Sequence, residues 1–574
     1  MPITIERTES DIDYEKSKVV IPEGLLQESE RLSIVIVSSE ISPYSKTGGL
    51  ADVADKLAVA LARLGHRVMT VAPLYVGVPQ IIGPYTGVET TNVRSNFCFH
   101  GEWGTECGHT VEYFHKFECV GGVKGVDHVF VGHASFLRAG MYGEGGVDYG
   151  DNLFRFALFA WAALEASLVV PCGGVPFGDE VVFLANDWQS GLVPLIINSH
   201  FRRHRVFDKA RVVFDIHNMG YQGPFPNPPY SEAPPFSFWD FGLRDNAYYD
   251  NYFWVYPECD RAHELDKGEA IKLLKGGILM SDRVVTVSPS YCYEIMSEWG
   301  AFGMKDVTCA RYHETSGILN GIDMREWDPA NDTHLLPIRY SKDDPSGKKE
   351  AKAALQKELG LEVNEHPPLI AFIGRLAPQK GVDLIEAIFP WLMSHDDQGV
   401  TGDVQLVMMG HGEERFANFL RNAEAFHKGK VCGFVGFSAE MEHKIYAGAD
   451  ILLMPSRYEP CGLPQMYAQR YGTVPVVHAT GGLKDSVIQY DPFAESEEGV
   501  GTGWLFDMFD ADGLKFGLWN AINTFKHFKE AWNKMVVRCM KMNFSWDRSA
   551  TKYVEVFRWA LDAPPHVNPL PFEY

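Results

Sequence analysis

The chain has 574 residues, 46% hydrophobic and 22% charged, the balance of a globular protein long enough to bury sizeable cores. Its 52 Lys+Arg against 75 Asp+Glu leave a net charge of −23, which argues against a nucleic-acid backbone or an anionic membrane as the main partner. Ten scattered cysteines without a CxxC pair give no support to a zinc knuckle or a thioredoxin-like site, and read as free thiols in a reducing compartment.

The first thirty residues are rich in acids, among them Glu6, Glu9, Asp11, Asp13 and Glu15. Signal and intact transit peptides are poor in acids, so this stretch reads as a mobile tail. The chain is then either cytosolic or a mature form without its targeting piece. No apolar run approaches the roughly 18 residues of a membrane span.

From Ile34 onward, short Val/Ile/Leu runs alternate with helical patterns. The candidate strands are Ile34–Val37, Val68–Ala72, Val181–Leu184, Val212–Ile216 and Val284–Val287, then Leu369–Ile373, Val404–Met408, Ile451–Met454 and Val474–Val477. Runs of this kind suit strands buried on both faces of a parallel sheet, and the alternation predicts doubly wound α/β domains. The polar, Pro- and Gly-containing stretch Asn320–Glu350 separates the two sets and reads as a linker. The expected division is a disordered tail over 1–30, a first Rossmann-like domain over 31–335, a second over 336–545, and a helix and tail over 546–574 that returns to the first domain. A cleft lies between the two domains.

Five segments carry the chemistry. The first, Lys46-Thr47-Gly48-Gly49-Leu50, sits between a strand and a helix with apolar residues at Leu50, Val53, Ala54, Leu57, Leu61 and Leu64 and a stop at Gly65. A Gly-Gly turn lets backbone N–H groups approach an anion, and Lys46 adds a full charge. The pattern is neither GxGxxG nor a P-loop, and a tight turn needing glycine explains it equally.

The second, His217-Asn218-Met219-Gly220-Tyr221-Gln222-Gly223, follows a strand at the end where ligands of open sheets bind. A His-Asn pair there either hydrogen-bonds sugar hydroxyls or satisfies its own loop. The third, Gly374 to Gly381, places Arg375 and Lys380 at a strand end, a pair suited to a diphosphate. In so acidic a chain this basic pair stands out from a merely solvated loop. In the fourth, Pro455 to Gln465, Glu459 can accept bonds from a sugar, and the N–H groups of Gly462 and Leu463 can hold phosphate oxygens. Cys461 reads as a buried, inert thiol. The fifth is Thr480-Gly481-Gly482-Leu483.

Together with Asn186-Asp187-Trp188, Asn320-Gly321-Ile322-Asp323 and Trp327-Asp328-Pro329, these segments resemble the starch and glycogen synthase family of retaining glucosyltransferases, from about Leu32 to Leu561. The resemblance implies a GT-B fold, no cofactor, no metal at the reaction centre, and transfer of glucose from ADP-glucose to an α-1,4-glucan such as amylose, amylopectin or a maltooligosaccharide. It implies donor contacts at Lys46, Gly48, Gly49, Arg375, Lys380, Gly462, Leu463 and Pro464, with Phe437 stacked on adenine. His217 and Glu459 then touch the transferred glucose, and Lys46, Arg375 and Lys380 share the catalytic role. Asp52, Asp151, Asn152, Asn218 and Tyr221 line the cleft.

Pro464 departs from some relatives and removes one phosphate donor. Tyr467 stands where many other retaining GT-B enzymes have a second Glu, as in this family's own pattern. The segments Asp491-Pro492-Phe493 and Gly501-Thr502-Gly503-Trp504 look like plant and algal starch synthases, which implies a plastid location and complexes with other starch-biosynthetic enzymes. In an organism without plastids the location is the cytoplasm. Rival readings are a UDP-glucose-dependent or granule-bound synthase, a silent glucan-binding homologue, and a glucan phosphorylase carrying pyridoxal phosphate.

Overall fold

The computed structural model describes residues 30–75, 85–100, 106–122, 124–226, 246–256, 268–494 and 500–566. The expected N-terminal tail lies outside them, apart from Glu30. Two main sheets organise the rest. The first has nine strands in the order Thr315–Gly317, Arg283–Thr286, Arg211–Ile216, Val182–Asn186, Ser33–Val37, Arg67–Pro73, Lys124–Gly132, Glu106–Gly121 and Glu89–His100. The first seven are parallel, and the last two add an antiparallel ribbon. The second sheet has six parallel strands in the order Val431–Val435, Gln405–Gly410, Leu369–Ile373, Ile451–Met454, Val474–His478 and Trp504–Phe506.

Numbered along the chain, the second sheet reads 3-2-1-4-5-6, and the parallel part of the first reads 7-6-5-4-1-2-3. Both are doubly wound, the class expected from the sequence. In each, the winding direction reverses between strands 1 and 4, and the loops after those strands diverge to leave a crevice. The loops in question start at Ser38 and Asp187 in the first lobe and at Gly374 and Pro455 in the second.

The buried strands are legible because they are continuous apolar runs: Leu369–Ile373 and Ile451–Met454 are buried at every position. The ribbon Glu89–His100 with Glu106–Gly121 escaped the reading. It interleaves His, Thr, Glu and Cys with its apolar residues, because one face is wet. The helix Asn152–Val169 has the length and apolarity to cross a bilayer, but 78% of that window is buried inside the first lobe.

The linker differs from expectation in one respect. It is irregular but packed, with Trp327, Asp332, Leu335 and Tyr340 all buried. Trp327 lies between the rings of His443 (4.0 Å, 9°) and Tyr467 (3.8 Å, 16°) of the second lobe. Asp332 accepts hydrogen bonds from Tyr471 at 2.6 Å and pairs with His443 at 2.8 Å.

The chain then crosses back. The helix Trp546–Asp562 lies on the first sheet, where Trp546, Ala550, Tyr553 and Phe557 share a core with Ile34, Ile36 and Val53. Tyr553 donates to the buried Asp215 at 2.7 Å, and Arg211 donates to the carbonyls of Ala560 and Ala563.

Candidate active site

The two crevices face each other, and the lobes are tied beside them by reciprocal helix capping. Asp485 of the second lobe accepts from the backbone N–H and hydroxyl of Ser290 at 2.6 and 2.7 Å. Glu294 of the first lobe accepts from the N–H of Gly481 at 2.8 Å and the hydroxyl of Thr480 at 3.0 Å. Each carboxylate thus satisfies orphan donors at the start of the other lobe's helix. Ser288 adds a bond to the carbonyl of Pro460 at 2.6 Å, next to Glu459.

In the first lobe, Glu40 organises the Lys46 loop. Its carboxylate accepts from the N–H and hydroxyl of Thr47 and from Tyr142 at 2.6 Å. Lys46 pairs with Asp52 at 2.7 Å, one turn into the helix Gly49–Arg63. Glu442 of the second lobe lies within the field of both, so this pair faces the opposite wall. Among the described residues a Cβ at Gly48 or Gly49 would meet no atom within 4 Å, and Gly48 is extended rather than left-handed. Neither packing nor backbone conformation therefore calls for these glycines. At Gly481 and Gly482 the reverse holds, since a Cβ would strike the carbonyls of Glu459 and Cys461 at 2.1 Å. The second Gly-Gly pair is needed to seat the Glu459 loop.

Asp151 pairs with Arg138, at 2.6 Å on one arm. Asn152 is fully buried; it donates to the Tyr142 carbonyl at 2.8 Å and accepts from Arg155 at 2.6 Å. Asn152 thus supports Tyr142, which in turn holds Glu40.

His217 follows the strand Arg211–Ile216. Its N–H donates to Asp187 at 2.8 Å, and Nε2 lies 2.9 Å from the Asn186 side-chain oxygen. Asp187 was quoted in the sequence as part of a motif but given no role. It is buried and holds φ at 53° with ψ at −175°, a positive-φ extended conformation that costs a non-glycine residue about 1–3 kcal/mol. Burial pushes its carboxyl up to about 6, opposed by His217. A carboxyl raised in the folded state contributes stability that is complete below about pH 4 and lost as pH rises through 6. Asp187→Asn should therefore match wild type near pH 4 and exceed its thermal midpoint at pH 7. The gain is bounded by about 3 kcal/mol for two pKa units. Melting curves from pH 4 to 7 check this, and a constant offset would exclude it.

In the second lobe, Lys380 pairs with Glu459 at 2.5 Å, and both side chains are largely buried. Ser456 donates to the same carboxylate oxygen at 3.1 Å. Arg375 is exposed and donates to Gln379 at 2.7 Å. Phe437 is 61% exposed beyond the strand Val431–Val435. Gly462 has φ of 70°, Leu463 precedes the helix Pro464–Arg470, and Pro464 is its first residue. Cys461 is buried and its thiol is pushed up to about 12, an inert thiol. Tyr458, not singled out in the sequence, meets the first lobe. Its ring lies 5.4 Å edge-on from Phe302, and a Cβ on Gly220 would come within 3.6 Å of its hydroxyl. Its phenol also lies within the field of Arg375 and of the exposed Tyr221. Asn218 accepts from the N–H of Gly220 at 2.8 Å and so shapes this loop.

Residues 33–309 match the starch synthase catalytic domain family, and residues 357–524 match glycosyl transferases group 1. Starch synthase 1, chloroplastic/amyloplastic, of Arabidopsis thaliana is 42% identical over 96% of this chain and 80% of its own length. The chain belongs to the starch synthase family. It is a glycosyltransferase. The soluble starch synthase 1 of Solanum tuberosum is also 42% identical, over 93% of this chain and 80% of that one. Among solved structures, the catalytic domain of starch synthase IV from Arabidopsis thaliana, bound to ADP and acarbose, matches with a TM-score of 0.73. It is 31% identical and covers 93% of this chain and 100% of that one. A sucrose-phosphate synthase from Thermosynechococcus elongatus shares the fold, with a TM-score of 0.50 at 18% identity over 93% of this chain and 100% of that one.

Proposed function

We propose that this starch synthase moves glucose from ADP-glucose to the non-reducing end of an α-1,4-glucan, with retention at the anomeric carbon. The observation that carries the reading is the Lys380–Glu459 pair at the switch point of one lobe, with the Lys46 loop at the switch point of the other and the His217 loop one strand beyond it. One side can hold a diphosphate and sugar hydroxyls while the other closes on them. The ADP and acarbose in the Arabidopsis relative support a nucleotide donor and a glucan-like acceptor.

In this reading Lys46 leaves Asp52 for the donor diphosphate when the lobes close. Arg375 and Lys380 hold the same group, and the bare backbone at Gly48 and Gly49 admits its oxygens. Glu459 accepts from glucose hydroxyls, and His217 presents its ring to the glucose with Asp187 fixing its backbone. Gly462 and Leu463 offer backbone donors. Pro464 offers none.

The C1–O bond of the donor breaks with its electron pair going to the departing diphosphate. The acceptor hydroxyl attacks the same face, and its proton passes to a phosphate oxygen. The cations stabilise the leaving charge in a site that closure dries. Asp52, Asn218 and Tyr221 line the cleft in this scheme, and Asp151 and Asn152 brace it.

The proposed division is 31–335, 336–545 and 546–574, and the helix Trp546–Asp562 on the first sheet supports its last boundary. The location is the plastid stroma, with other starch-biosynthetic enzymes as partners.

The deciding experiment is release of ADP from ADP-glucose with a maltooligosaccharide acceptor, run in competition with UDP-glucose. No nucleotide release from either donor would overturn the proposal, and preference for UDP-glucose would overturn its donor. A second prediction concerns Phe437. Stacking on a base is worth about 1–3 kcal/mol, so Phe437→Ala should raise the donor KM by about tenfold with kcat nearly unchanged. An unaltered KM would remove Phe437 from the site.

A further inference from the structure

Three donor atoms converge inside the first lobe, outside the loops just described. Asp55 lies on the helix Gly49–Arg63, Glu118 on the strand Glu106–Gly121 and His128 on the strand Lys124–Gly132. One ligand atom from each lies within 4.8 Å of the others. Asp55 is 4% exposed and His128 is 0% exposed, whereas the Glu118 side chain is 40% exposed and opens the cluster to solvent.

The His128 ring is fixed by Thr70, whose hydroxyl lies 2.8 Å from Nδ1. Nε2 has no hydrogen-bond partner among the described residues. Its approach to Glu118 Oε2 is 3.4 Å. At that distance the two form a loose ion pair, longer than the about 2.7–2.9 Å of a charge-assisted hydrogen bond. Ligands about 2.1 Å from a tetrahedral cation stand roughly 3.4 Å apart, the separation of His128 Nε2 from Glu118 Oε2, and the Asp55 oxygen lies within 4.8 Å of both.

The cations nearby leave room for another. Lys56 lies 3.2 Å from Asp55 and 3.7 Å from Asp323, so it can turn outward to Asp323. Lys116 acts on Glu118 only as a nearby charge.

We propose that His128 Nε2 and one oxygen each of Asp55 and Glu118 bind a divalent cation of the zinc class, with water on the Glu118 side as the fourth ligand. Thr70 sets the ring orientation, as partners behind metal-binding histidines do. The cation would pin the helix that carries Gly49 and Asp52 to the two strands beneath it. It takes no part in glucose transfer.

The test uses the full chain after chelator treatment. Zn²⁺ is titrated by calorimetry, and Co²⁺ is followed by its visible spectrum. One ion per chain is expected, with a rise in the thermal midpoint and a spectrum without a thiolate band. Glu118→Gln, at the wet edge of the cluster, should weaken binding about tenfold or more. Lys56→Met, which removes the competing cation, should tighten it. Absence of stoichiometric binding at 100 µM Zn²⁺, roughly the lower limit for a useful site, would overturn the proposal. So would binding unchanged by both substitutions. A thiolate band would place the ion instead at the neighbouring His115, Asp127 and Cys172 group and would equally overturn it.

Discussion

Lys380→Gln should lower kcat for glucosyl transfer by about 10²–10³, the usual loss when one preorganised charge on a developing oxyanion is removed. The structure sharpens the experiment, because Lys380 also neutralises Glu459 at 2.5 Å. Removing one partner of a largely buried pair strands the other and can disturb a site by itself. The double variant Lys380→Gln, Glu459→Gln, compared with Glu459→Gln alone, tests whether the loss comes only from the stranded carboxylate. If Lys380 serves the leaving diphosphate, the double variant stays at least as slow as the single one. Recovery to within twofold of wild type would show that the loss came only from the stranded carboxylate.

The second large effect is on stability. Trp327→Ala should cost about 3–5 kcal/mol, the range for truncating a buried large aromatic. Trp327 is 7% exposed and stacked on both faces, so its cavity opens between the linker and the second lobe. Denaturant unfolding followed by circular dichroism measures the loss. Trp327→Phe should retain more than half of the stability by keeping one aromatic in the slot. A cost below about 1 kcal/mol for the alanine variant would mean that the stack does not anchor the linker.

Much of the fold was legible because parallel strands buried on both faces must be continuous apolar runs. Leu369–Ile373 and Ile451–Met454 agree with the structure residue for residue. The strand Lys124–Gly132 was missed because Asp127 and His128 interrupt its apolar run. Trp504–Phe506 was missed because it is only three residues long. The linker was recognised by its prolines and polar residues, but composition does not show that Trp327 is captured by rings more than a hundred positions away.

The site was legible as loops, not as pairings. Lys46 and Asp52 were named separately, and Lys380 and Glu459 were named for different ligands. That each cation rests on a carboxylate depends on three-dimensional placement. Asp187 offers one signal, a carboxylate beside a strand end, but its positive-φ backbone has no trace in composition. The cross-lobe caps of Glu294 and Asp485 are likewise invisible, because an ordinary cap is read from residues a few positions away.

The return of the helix Trp546–Asp562 to the first sheet has a consequence for biosynthesis. Ile34 and Ile36 emerge from the ribosome about 510 residues before the helix that shares their core through Tyr553 and Phe557. At roughly 5–20 residues per second, that apolar face stays uncovered for tens of seconds during translation. Chaperone dependence should therefore concentrate on this nascent surface, and stop codons that remove the helix Trp546–Asp562 should damage the first lobe, made long before it.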